Sequence, residues 1–295
     1  MTRRNANLLL LLAGAVWGMG FIAQSTAMDD IGPYTFVGAR FVIASIVLLP
    51  LAIYESKRAT RKLPVIAYLQ FIIIGAVLFA AMALQQVGLL TTTVTNSGVL
   101  TGLYVVIVPI LALLIFREIP HYIIWPSVVL TFSGIFLLSG GHLSALTKGD
   151  ILTIMCAVGN ALQVILITRY VIKYARPLTF SFMQFATIAI LGSISGLGFE
   201  TTEMTSLLPA LPEILYAGIF SSALAFTIQA VAQRYTTAPQ TAIFMSSEVL
   251  FAALFGAILL GERIPAIGYL GGLLIFTAMI LTETIPHIKR KVLTS

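Results

Sequence analysis

Apolar runs of about twenty residues recur from one end of this chain to the other, separated only by short stretches rich in charge, Gly or Pro. A run of that length, wound as a helix, matches the ~30 Å hydrocarbon thickness of a bilayer. Ten such runs can be laid out, near 7–28, 33–54, 64–89, 95–116, 121–139, 150–172, 178–199, 211–235, 239–260 and 265–285. They consume most of the 295 residues and leave no room for a soluble domain. Composition agrees, since only 9% of residues are charged where a soluble domain carries about 25%. Because the runs are apolar all round and do not alternate, an outer-membrane barrel is excluded. The expected fold class is an all-α polytopic membrane protein, and function must then lie within the bilayer.

Arg3-Arg4 followed by an apolar run and Ser25-Thr26-Ala27 imitate a secretory signal. The run is long enough to span, however, and the internal symmetry below needs it as a retained helix. The basic residues set the orientation. If the N-terminus is cytoplasmic, Arg3, Arg4, Lys57, Arg58, Arg61, Lys62, Arg117, Arg169, Lys173, Arg176, Arg234, Lys289, Arg290 and Lys291 fall on the inner side. Lys148 and Arg263 fall on the outer side, and Arg40 lies inside a span. That asymmetry places both termini in the cytoplasm. Asp29, Asp30, Glu200 and Glu203 are then outer-loop acids. The net charge of +6 is not a nucleic-acid signature, because no basic stripe is interleaved with aromatics. Cys156, the single cysteine, can form no intramolecular disulfide and reads as a small packing residue.

Sliding the chain on itself by 144 residues superposes Pro33 on Pro177, Thr35 on Thr179, Phe36 on Phe180, Phe41 on Phe185, Gln85 on Gln229, Thr92 on Thr236, Thr93 on Thr237, Glu118 on Glu262 and Phe132 on Phe276. The expected units are residues 1–143 and 144–295, linked through the Gly140–Gly149 loop, with five spans each. Five is odd, so the second unit enters the membrane from the other side. Such inverted repeats bind solute near the midplane between the halves in many secondary transporters.

Trp17-Gly18 in the first span, Gly32-Pro33 with Thr35-Phe36 and Arg40 in the second, and Gly261-Glu262-Arg263 between the ninth and tenth resemble the EamA-type branch of the drug/metabolite transporter superfamily. The first half departs from the Gly-Glu-Arg pattern with Phe116-Arg117-Glu118. The resemblance covers essentially the whole chain. It implies a ten-helix 5+5 inverted-repeat carrier of small organic solutes in a bacterial inner membrane, with exporters of amino acids and other metabolites among its members.

Arg40 and Glu248 are ionisable groups deep inside spans, a costly placement that marks functional candidates. Arg40 reads as an anion anchor or as a structural Arg capping helix carbonyls, with span 2 at the cavity rim. Glu248 reads as a coupling group, a partner for Arg40 or a site for a substrate amine. Its repeat mate is Tyr104. Trp17, Phe21 and Gln24 share one face of the first span, Phe79, Met82 and Gln86 one face of the third, and Asn160 and Gln163 one face of the sixth. Ser222, Phe226, Gln229 and Gln233 form a stripe on the eighth, while Ser247 and Phe251 flank Glu248 on the ninth. Amides mixed with aromatics in hydrocarbon suggest a wet cavity lined by spans 1, 3, 4, 6, 8 and 9, with spans 5 and 10 peripheral. Gly14/Gly18, Gly98/Gly102, Gly192/Gly196 and Gly268/Gly272 permit close helix approach, and Pro109 is a candidate bend.

ATP hydrolysis is excluded by the lack of a Walker A sequence, and His121, His142 and His287 lack metal-ligand spacing. No cofactor or metal is expected, and the chain is not expected to be an enzyme. The expected function is alternating-access export of small amphipathic metabolites, foremost amino acids with aromatic or large apolar side chains. Export of drugs or other metabolites is the alternative, and a channel or an intramembrane enzyme are the rival classes. Expected partners are the substrate, the lipid bilayer and protons as a coupling ion, with facilitated diffusion left open; no nucleic acid and a monomer are expected.

Overall fold

A computed structural model describes residues 1–92, 94–141, 147–201, 207–259, 261 and 263–292. The expectations resting on Thr93, His142, Glu203 and Glu262 lie outside these residues, as do the side chains of His287, Lys289, Arg290 and Lys291. The described residues are helical, without a strand among them. The helices are α1 (Arg3–Thr26), α2 (Pro33–Arg58), α3 (Val65–Gly88), α4 (Val94–Thr101), α5 (Tyr104–Phe116), α6 (Ile124–Leu138), α7 (Lys148–Tyr174) and α8 (Pro177–Phe199). They continue with α9 (Leu211–Tyr216), a π-helical segment (Ala217–Phe226), α10 (Thr227–Ala232), α11 (Ala238–Met245), α12 (Ser247–Leu259) and α13 (Ala266–Val292). Among the described residues nine helical stretches are long and apolar enough to cross a membrane, and the shorter apolar α6 makes the tenth. This is a multi-pass membrane protein built of two inverted five-helix repeats.

Three of the ten expected spans are not plain α-helices. The fourth breaks at Gly102–Leu103 and the ninth at Ser246, positions related by the same 144-residue shift as the sequence repeat. Pro109, the expected bend, lies inside α5, and the interruption of the span falls seven residues earlier, at a glycine. The eighth span carries ten π-helical residues. There i→i+5 bonding brings residues five apart onto one face, in place of the 3.6-residue period assumed from the sequence.

The two repeats are clasped together by α2 and α8, the most extensive helix pair in the molecule. Their close approach needs glycine on both sides: a Cβ on Gly38 would lie 2.8 Å from the Ser193 nitrogen, and one on Gly192 2.8 Å from Gly38 Cα. Each helix also caps the other. Glu200, just past α8, accepts bonds from Tyr34 N (2.8 Å), Thr35 N (2.8 Å) and Thr35 Oγ1 (2.7 Å) at the start of α2. Glu55, near the end of α2, accepts from Leu178 N (3.2 Å), Thr179 N (2.8 Å) and Thr179 Oγ1 (2.7 Å) at the start of α8. Neither helix has a side-chain cap of its own, so each borrowed carboxylate satisfies donors that would otherwise be orphaned and sits at the positive end of the helix dipole. Glu200 is thus a structural cap, not merely a solvated loop acid.

Around this pair, α3 packs on α7, α6 on α13, and α1 on α12. Gly18 of α1 meets α12 so tightly that a Cβ there would lie 2.6 Å from Ala252 N and Phe251 Cβ. The Gly14/Gly18 spacing is used to bring α1 against the break in the ninth span. Of the Gly268/Gly272 pair, Gly268 lies against the Leu138 backbone of α6, while the Gly134 backbone is met by Gly271 and not by Gly272. Arg3 of α1 donates to the Thr282 carbonyl of α13 (3.1 Å), so both ends of the chain share one face, called the terminal face below.

Candidate functional site

At the centre of the bundle is a cavity of about 560 Å³ lined by Trp17, Phe21, Gln24, Arg40, Met82, Gln85, Thr101, Tyr104, Asn160, Gln163, Val164, Ser221, Phe226, Met245 and Glu248. Spans 1, 2, 3, 4, 6, 8 and 9 contribute, and no lining residue comes from α6, α8 or α13.

Its geometry follows from the helix breaks. Tyr104 begins α5 and Glu248 is the second residue of α12, so these repeat mates emerge at equivalent interruptions of the two halves. The Tyr104 hydroxyl faces the Glu248 carboxylate without closing a hydrogen bond of ordinary geometry. Half-helices meeting at the middle of a membrane protein are a recurrent way to build a solute site, because irregular backbone is tolerated only where it lines a cavity.

Arg40 is 2% exposed, so it lies deep in the wall and not at a rim. Its guanidinium stands 5.4 Å from the centre of the Phe36 ring and 5.1 Å from that of Phe41, with Nη2 3.0 Å from Met82 Sδ. Two aromatic faces partly compensate the buried cation. The suggested pairing of Arg40 with Glu248 is not formed: among the described residues no carboxylate pairs with Arg40, and its Nε has no hydrogen-bond partner. Arg40 and Glu248 therefore line one cavity without pairing with each other.

The apolar wall is formed by Trp17 and Phe226, whose rings meet edge to face at 4.9 Å. Trp17 Nε1 donates to the Ser221 carbonyl of the π-helical segment at 2.9 Å, which fixes the indole. Several polar atoms of the lining residues have no hydrogen-bond partner. They are Gln24 Oε1, Gln163 Nε2, Tyr104 Oη and Arg40 Nε. Buried polar atoms are nearly always hydrogen-bonded, so such a cluster marks a place for a polar ligand or ordered water.

Of the residues singled out from sequence, Trp17, Phe21, Gln24, Arg40, Met82, Tyr104, Asn160, Gln163, Phe226 and Glu248 come together here. Seven do not line the cavity, Ser222 and Gln233 of the eighth-span stripe among them. Gln86 is wholly buried and donates to the Gln24 carbonyl (3.2 Å), and Gln229 donates to Gln163 Oε1 (3.3 Å), so both support lining residues from behind. Ser247 is buried beneath Gly14, Phe251 stacks on Phe255 and presses on Gly18, and Phe79 packs against the main apolar core. Sequence reasoning missed Gln85, Thr101, Val164, Ser221 and Met245. Gln85 and Gln86 are adjacent amides, and only their three-dimensional register decides which one faces inward. Ser221 and Phe226 share a face because they are five apart in a π-helix. Cys156 is free and buried, accepting a bond from Asn160 Nδ2 at 3.4 Å. Among the described residues no three of His, Cys, Asp and Glu gather where they could hold a metal ion.

Comparison with known proteins places this geometry in context. The family model described as "EamA-like transporter family" matches twice, over residues 4–140 and 147–284. An "Uncharacterized transporter" of Archaeoglobus fulgidus is 31% identical over 282 residues, covering 95% of this chain and 86% of the relative. A second protein of the same description and organism is 25% identical over 289 residues, covering 95% and 98%. A solved crystal structure superposes with a TM-score of 0.78 at 14% identity, covering 95% of this chain and 97% of that one, which speaks to the fold alone.

Proposed function

This chain belongs to the EamA-like transporter family, and from that premise we propose that it is an alternating-access carrier exporting zwitterionic amphipathic metabolites, foremost amino acids with aromatic or large apolar side chains. The observation that carries the reading is the unpaired couple of Arg40 and Glu248 in one cavity walled by Trp17 and Phe226. An α-carboxylate would complete Arg40, an α-ammonium would complete Glu248 and Tyr104, and the side chain would lie against the aromatic wall. A buried guanidinium and a buried carboxyl that do not pair with each other are costly to leave without partners, so a zwitterion gains at both ends what a neutral or singly charged ligand cannot.

The site proposed for substrate consists of the ten sequence-derived lining residues together with Gln85 and Ser221. Glu248 is also the proposed coupling group, with protons as the coupled ion. The strong bias of basic residues toward one side supports cytoplasmic termini, and the chain is proposed to reside as a monomer in a bacterial inner membrane. Two units, 1–143 and 144–295, would rock against each other to expose the cavity alternately. A substrate screen with the purified protein in liposomes tests the reading: saturable flux of large apolar amino acids supports it, and flux of cationic drugs or sugars with none for any amino acid refutes it.

A further inference from the structure

The two broken helices have the same anatomy in opposite directions. α4 (94–101) and α11 (238–245) coincide under the 144-residue shift, with α11 reaching toward the terminal face and α4 toward the opposite one. Beside each lies a chamber. The chamber on the opposite face, about 830 Å³, is lined by Gly98 and Val99 of α4, by Leu138 and by Arg263–Pro265. The chamber on the terminal face, about 630 Å³, is lined by Pro239 and Gln240 of α11, by Thr282 and by Ile119–His121. Leu138 and Thr282 are repeat mates, and so are Arg263–Pro265 and Ile119–His121.

The mates differ in one respect. Phe21 lines both the opposite-face chamber and the central cavity, so those two spaces abut. The terminal-face chamber shares no lining residue with the central cavity. Between them lies α11, every residue of which is buried. Gly98 and its mate Ala242 are both buried, but at Gly98 no atom lies within 4 Å of where a Cβ would be.

Besides its apolar packing, α11 is tied by a side-chain hydrogen bond to Glu283 of α13. Its carboxylate accepts from Gln240 Nε2 of α11 (3.3 Å) and, through a short contact, from Asn7 Nδ2 of α1. The mate of Glu283 is Ser139, whose hydroxyl reaches only the Phe136 carbonyl of its own helix (2.8 Å). A carboxylate clasp joining three helices is thus built at the terminal face, while its mate position at the opposite face holds a hydroxyl turned onto its own helix. We propose that α11 is the gate on the terminal face and that Glu283 is its latch. Tying Gln240 and Asn7 to α13 keeps the terminal-face chamber separate from the substrate cavity and biases the resting carrier to open toward the opposite face. The inference rests on the carrier reading, and adds the residue that sets which way the empty carrier faces.

The test uses single cysteines at the mate positions, Gly98→Cys and Ala242→Cys, each in a Cys156→Ala background, with a small charged thiol reagent on purified protein in detergent. Position 98 should react and position 242 should stay protected. Glu283→Gln, and separately Asn7→Ala with Gln240→Ala, should raise the rate at 242 about tenfold while lowering the rate at 98, since opening one side closes the other. The second variant spares the carboxylate should the first fail to fold. Continued protection of 242 in both variants overturns the latch, and so does a joint rise at both positions, which reports a loosened bundle. Failure of the carrier reading shows separately, as absent counterflow by the parent protein.

Discussion

Removing the Glu200 carboxylate should destabilise the protein by an amount the structure allows one to work out. Glu200→Ala deletes three bonds of 2.7–2.8 Å and leaves the Tyr34 and Thr35 amides at the start of α2 without their acceptor. Losing an N-cap costs about 0.5–2 kcal/mol, and the lost charge at the helix dipole adds roughly 0.3–1 kcal/mol. Because the cap is only part-buried and water can enter, about 2 kcal/mol is expected. For a chain of this size that is roughly 4 °C in melting temperature, taking about 2 °C per kcal/mol. Glu55→Ala should cost a similar amount at the other end of the pair. The two caps are separated by the length of a 23-residue helix, about 35 Å, so the double variant should show additive losses of near 8 °C. Thermal unfolding of the three variants in one detergent, followed by tryptophan fluorescence, measures this. A shift below about 1 °C for either single variant, or a double variant no worse than the singles, would refute the reciprocal-cap account.

Glu248→Gln keeps size while removing charge, and should reduce transport at least tenfold at unchanged expression; undiminished flux would show that the charge is idle. An imposed pH gradient should drive flux in the parent protein and fail to do so in this variant. Cysteines at 17, 85, 163 and 248 in the Cys156→Ala background should label with an aqueous reagent and be protected by substrate, whereas one at 86 should stay silent; labelling at 86 but not 85 would reverse the assigned register of α3. Gly18→Leu should lower the melting temperature by several degrees, because the overpacked α1–α12 contact costs about 1–3 kcal/mol, and an unchanged value would contradict the contact at Ala252.

The spans and the repeat were legible because bilayer thickness dictates run length and because Pro33/Pro177 and Gln85/Gln229 hold one register across an otherwise monotonous chain. The breaks in the fourth and ninth spans were less legible. Gly102 and Ser246 interrupt their helices within runs as apolar as any other, and hydropathy has no term for a hydrogen bond left unmade. The π-helical segment was invisible for the same reason, and with it the inward turn of Ser221. Arg40 and Glu248 stood out as isolated charges, but their failure to pair is a matter of distance that no spacing along the chain encodes. Glu55 and Glu200 lie at the ends of spans, where sequence offers solvation as reason enough for a carboxylate. Only the antiparallel approach of α2 and α8 turns them into caps.

Counterflow by the purified protein in liposomes tests the central claim most directly. Vesicles preloaded with an unlabelled large apolar amino acid should accumulate the labelled form transiently above equilibrium, with saturating initial rates and loss of the overshoot in Arg40→Gln. Flux that rises linearly with concentration and shows no overshoot would contradict a carrier that binds its solute between Arg40 and Glu248.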